Sequence, residues 1–262
     1  MFKSLLSSLL LVLTGMLSAQ AQPQPFDQGS DSITALDSSV VVPDFSHAPS
    51  PSSEDPLASP YPIPWAWILQ TQADYENSPD SGLRYYRTPS LLSPDGRYGA
   101  YARLSMRVKP NLFESSISTV LFVEDLQTGK LQMIRSQTPA DGTMSIFVPV
   151  SWSKNGDRLL VRQLDGAFST SDATDSALVW ERSTRRTYTL TPQNIDYDIA
   201  ILLGWNPHQT DQILFRAGFL GDEIWPVWSV NLQGTTSLSQ NNPSSPQSHP
   251  QVFSWTGSQI LP

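Results

Sequence analysis

Leu91-Leu92-Ser93-Pro94-Asp95-Gly96-Arg97-Tyr98-Gly99-Ala100-Tyr101-Ala102-Arg103-Leu104 decides the fold class of this 262-residue chain. Ser93-Pro94-Asp95-Gly96 has the residues of a type I turn, with proline pre-setting φ at the second position and glycine accommodated at the fourth. The run behind it alternates with a period of two. Tyr98, Ala100, Ala102 and Leu104 fall on one face, and Arg97, Tyr101 and Arg103 on the other, as in a half-buried strand.

The plan recurs along the chain. A second copy reads Ser151-Trp152-Ser153-Lys154-Asn155-Gly156-Asp157-Arg158-Leu159-Leu160-Val161-Arg162. A degenerate third is Gly204-Trp205-Asn206-Pro207-His208 followed by Gln212-Ile213-Leu214-Phe215-Arg216, and a fragment runs from Phe253 to Leu261. Trp152, Trp205 and Trp255 stand 53 and 50 residues apart, a propeller-type repeat length. Each complete copy continues into a hairpin-like stretch, Val120–Leu131, Ala177–Tyr188 and Pro226–Gly234. Turn, strand, loop and hairpin predict an all-β chain of antiparallel four-stranded meanders.

The Ser-Pro-Asp-Gly-Arg step, the alternating strand and Asp125-Leu126-Gln127-Thr128-Gly129 together resemble the repeats of TolB-like and prolyl-oligopeptidase-type β-propellers. The resemblance covers residues 85–235 and the fragment at 252–262. It implies blade architecture and is silent on function, since such blades serve as peptidase gates, periplasmic scaffolds and sugar-binding modules. Three and a half blades predict a small or incomplete propeller. Pro64-Trp65-Ala66-Trp67-Ile68-Leu69 and Leu83–Arg87 are expected to supply missing strands, against which Val252–Leu261 would pair. Alternatively the stack stays open, leaving a sheet edge for a partner or a second copy.

Before the repeats, the chain changes character twice. Residues 1–21 read as a signal peptide: Lys3, an apolar run from Leu5 to Leu17, and Ala19-Gln20-Ala21 for cleavage. The run is shorter than the roughly 18–20 residues that span a bilayer, so the mature chain is expected to be exported, periplasmic or secreted, without a membrane span. Residues 22–60, rich in proline, serine and acid, read as a disordered linker; 61–262 are the β-propeller-like domain, with 234–251 a flexible connector.

Nothing basic stands between Lys3 and Arg84, whereas nine acids do, Asp55 among them. The net charge of −8 argues against a nucleic-acid partner. Without cysteine there is no disulfide, thiolate metal site or cysteine nucleophile. No Gly-x-Ser-x-Gly, His-Glu-x-x-His or phosphate loop occurs, so no catalytic residue, cofactor or metal is expected. The candidate binding residues are Trp65, Trp67, Trp225 and Trp228, aromatic platforms outside the repeat phase that Trp152, Trp205 and Trp255 share. Two functions follow from this reading: an exported non-enzymatic scaffold that binds a protein or peptide, or a polysaccharide-binding module using those four tryptophans.

Overall fold

The computed structural model describes residues 55–80 and 82–239. The signal segment, most of the linker, Trp255 and the expected strand Val252–Leu261 lie outside the described residues.

Among the described residues one α-helix, α1 (Trp65–Asn77), precedes thirteen strands. The first meander contains β1 (Leu83–Arg87) and β2 (Leu91–Leu92), which pair in succession with β3 (Tyr98–Arg107), then β4 (Ser116–Asp125) and β5 (Lys130–Gln137). The second contains β6 (Thr143–Trp152), β7 (Arg158–Ala167), β8 (Ala173–Glu181) and β9 (Arg186–Leu190). The third contains β10 (Ile199–Trp205), β11 (Gln212–Gly218), β12 (Val227–Asn231) and β13 (Thr236–Leu238). Pairing within each meander is antiparallel. A single parallel bridge, Ile117 to Met144, joins the first meander to the second, and the described strands do not close on themselves.

The repeat read from the sequence is repeated in the bonding. Ser93 and Ser153 each accept the Gly amide three residues on, and each hydroxyl accepts the amide five residues on, from Tyr98 and Arg158 at 2.9 Å. In the third turn Asn206 takes over, its side chain accepting the His208 amide at 3.0 Å. A bulge also recurs two residues before Trp152 and before Trp205, where register shifts between Pro149 and Ser151 and between Leu202 and Gly204.

Three expectations are corrected. Trp65 and Trp67 start a helix rather than a strand. Pro64 sits just ahead of the first turn, Gln70 and Gln72 bond Asp74 and Glu76 one turn on, and Pro79 stands beyond the end. Residues 55–60, assigned to the linker, carry a buried carboxylate at Asp55 and a buried hydroxyl at Ser59. The connector expected from Gly234 contains β13 before the described chain ends.

Two apolar cores hold the meanders. The first lies between meanders one and two and takes in Ala100, Leu104, Ile117, Leu121, Phe147 and Leu159, with Ile63 and Ile68 of the N-terminal segment. The second lies between meanders two and three and includes Leu160, Val179, Leu202, Phe215 and Val230. Trp152 is 6% exposed; its indole donates to the Leu91 carbonyl at 3.2 Å and meets Trp180 edge-on at 6.1 Å. That places it between two meanders, as its repeat phase implies. Trp205 is half-buried against the second core.

Candidate interaction surface

The four candidate tryptophans do not form one platform. Trp65 and Trp67 pack half-buried on the first core, with the Trp67 ring 5.3 Å from Tyr86. Trp228 packs on the second core, its indole N–H buried without a protein acceptor. Trp225 lies over Gly218, where a Cβ would meet its ring at 2.7 Å, so only glycine admits that contact. Each pair thus already gives ring area to its own protein. Of the histidines only His208 is described, in its turn, and no group of three or more His, Asp or Glu among the described residues is arranged to hold a metal ion.

The sequence reading missed a buried ionic cluster. Arg162 on β7 is fully buried; its Nε donates to Asp175 at 2.7 Å, and its Nη1 to Asp55 at 2.5 Å and to the Tyr61 carbonyl at 2.7 Å. Asp175 also accepts the Leu202 amide of β10 at 2.9 Å, and Asp55 accepts those of Leu57 and Ile63. Burial pushes the Asp175 carboxyl up to about 6 despite Arg162. Burial acts the same way on Asp55, but Arg162 and the two amides outweigh it and hold that carboxyl below its usual value. The cluster pins the N-terminal segment to meanders two and three. Beside it, Gly204 at φ +108° leaves room for the Tyr61 hydroxyl, which a Cβ would meet at 2.6 Å. A charged pair in adjacent strands, Arg162 diagonal to Asp175, was the available sequence signal.

Facing away from both cores, the first meander presents a different surface. Register places Leu83, Tyr85 and Arg87 of β1, Tyr101, Arg103 and Arg107 of β3, Val120 and Phe122 of β4, and Leu131 and Met133 of β5 on one face. Tyr101 and Phe122 stack at 5.5 Å. The Arg87 guanidinium lies 3.8 Å from the Tyr101 ring centroid, and Arg103 lies 5.2 Å from that of Phe122. Tyr85, Leu131 and Met133 are exposed, Met133 at 61%. Among the described residues, Arg87, Arg103 and Arg107 have no acidic partner, whereas Arg97 pairs with Asp125 and Arg182 with Asp95. The alternation noted in the sequence had already set Tyr101 and Arg103 on this side.

Charge is graded across the three repeats. Residues 83–137 hold eight basic and four acidic residues, 138–190 hold six of each, and 191–239 hold one basic and five acidic. At the acidic end the β11–β12 connection exposes Phe219, Leu220 and Ile224, the last at 82%, beside Asp222 and Glu223.

No protein-family model and no curated protein matches the chain. Among solved structures it is similar to an acylaminoacyl peptidase of Pyrococcus horikoshii, at 13% identity and a TM-score of 0.36, over 58% of this chain and 24% of that one. It is also similar to a glycoside hydrolase, at 11% identity and a TM-score of 0.35, over 72% of this chain and 67% of that one. The chain therefore spans about a quarter of the peptidase's length. At this level of similarity neither match assigns an activity.

Proposed function

We propose that the chain is an exported, non-enzymatic binding or scaffold protein, built as an incomplete TolB-like propeller, that holds a protein or peptide on the uncovered face of its first meander. The observation that carries this reading is the set of three arginines without acidic partners among the described residues, Arg87, Arg103 and Arg107, framing an aromatic pair beside exposed Tyr85, Leu131 and Met133. Guanidinium groups over aromatic rings fit a ligand that carries both carboxylates and apolar side chains. Recurrent turns, bulges and stacked meanders support the blade assignment.

Titration with synthetic peptides tests the site. A peptide mixing Glu with Leu and Phe should bind, and binding should weaken at least about tenfold, or roughly 1.4 kcal/mol, in Arg103→Glu. A chain that ignores every peptide but binds a polysaccharide, and loses it in Trp225→Ala or Trp228→Ala, would replace this reading with the carbohydrate one.

A further inference from the structure

The acidic end of the molecule carries the chemistry that its basic end lacks. We infer that the chain associates head to tail: the β11–β12 tip of one copy, Phe219, Leu220, Asp222, Glu223 and Ile224, seats on the arginine-framed face of the first meander of a second copy. This rests on the binding reading above and names the partner.

Three observations on separate parts of the chain converge. Both surfaces expose large apolar side chains, Tyr85, Leu131 and Met133 on the face and Phe219, Leu220 and Ile224 on the tip. Isolated exposed apolar residues are ordinary, but groups of them rimmed by charge mark docking sites. Their charges are opposite, with Arg87, Arg103 and Arg107 on the face and Asp222 and Glu223 on the tip, within repeats that carry balancing excesses of opposite sign. Complementary potentials of this kind steer encounter and fix register. Finally, among the described residues the meanders stack through their facing sides, β6 against β4 and β10 against β8, and none of the described strands covers the outer face of the first meander.

Such a contact is heterologous, because the two surfaces differ. Every copy that joins brings one free tip and one free face, so assembly continues until a ring closes or concentration limits it. The acidic residues of 22–54 are the competing occupant within the chain, and they would hold it monomeric.

Sedimentation of the full chain tests this. Weight-average mass should climb from one copy towards two and beyond with concentration at about 0.05 M salt, and fall back towards one at about 0.5 M, where screening is much shorter-ranged. Two variants, Arg103→Glu with Arg107→Glu and Asp222→Arg with Glu223→Arg, should each sediment as one copy. Their equimolar mixture should associate again, because the intact tip of the first fits the intact face of the second and the two charge-reversed surfaces are complementary in turn. Should the double arginine variant fail to fold, Arg107→Glu alone serves in its place. A wild-type chain of one-copy mass at every concentration, or a mixture that stays monomeric, overturns the inference. If that chain still binds the acidic peptide in an Arg103-dependent way, only the partner assignment falls. If it binds no peptide either, the site reading falls with it.

Discussion

The two interfaces between successive meanders solve one packing problem with opposite chemistry. Between the first and second, the position on β3 is Ala102 and that on β4 is Thr119, whose hydroxyl donates to the Ser145 carbonyl at 2.6 Å. Between the second and third, the corresponding positions are Arg162 on β7 and Asp175 on β8, and Asp175 accepts the Leu202 amide at 2.9 Å. The first interface is closed by apolar contact and by Trp152 reaching to Leu91. The second needs a group from outside the repeats, because Asp175, which also accepts the Leu202 amide, takes only the Arg162 Nε and leaves the rest of a buried guanidinium unsatisfied. Asp55 and the Tyr61 carbonyl supply it. A repeat can therefore be copied with its turns intact while one copy acquires a dependence on the segment before the array.

The largest effect expected is from Arg162→Ala. Removing the shared partner leaves two buried carboxylates uncompensated, and denaturant unfolding should show a loss of about 5 kcal/mol, at the upper end for a broken buried pair. Trp152→Ala attacks the other interface and should cost about 4 kcal/mol, the scale for deleting a core aromatic. If Trp152→Ala proves the more damaging by several kcal/mol, the contrast between the interfaces is wrong.

Dependence on pH sharpens the same contrast. Burial raises the folded-state carboxyl of Asp175 from the ordinary carboxylate range to about 6, so its contribution favours the folded chain at low pH and is lost as pH rises through about 6. Asp55 is lowered, so its contribution is present above the ordinary carboxylate range and lost on acidification. Thermal unfolding should therefore occur at higher temperature near about pH 5 than near about pH 7.5, with Asp175→Asn flattening the difference. An unchanged slope in that variant would place the titration elsewhere. The smallest effect is expected on the surface, where Arg182→Ala breaks the pair with Asp95 and should change stability by less than about 1 kcal/mol.

How much of this was legible in the sequence divides along the same lines. The antiparallel meanders followed from local rules, because turn chemistry and period-two alternation act over a few residues, as at Ser93–Gly96 and Tyr98–Leu104. The helix was missed because Trp65-Ala66-Trp67-Ile68-Leu69 is rich in strand-favouring side chains. Its decisive signals, Pro64 before and Ser78-Pro79 after, were boundaries rather than pattern. Asp55 was grouped with solvated acids because its partner lies 107 residues away, and no local rule reports such a pairing. The four tryptophans were singled out as aromatic platforms, whereas ring exposure is set by tertiary packing such as that of Trp225 over Gly218. The arginine face was half-legible: the alternation placed Tyr101 and Arg103 together, but that no described strand covers them is a matter of architecture.

Amide hydrogen exchange on Asp55→Ala tests the central contrast most directly. Loss of the carboxylate should raise exchange rates selectively at β10–β12 and at Leu57 and Ile63, while β3, β4 and the Trp152 end of β6 keep wild-type protection. Uniform loss across all three meanders, or no change at the Leu202 amide, would contradict the claim that the second interface alone draws a buried ion-pair partner from the N-terminal segment.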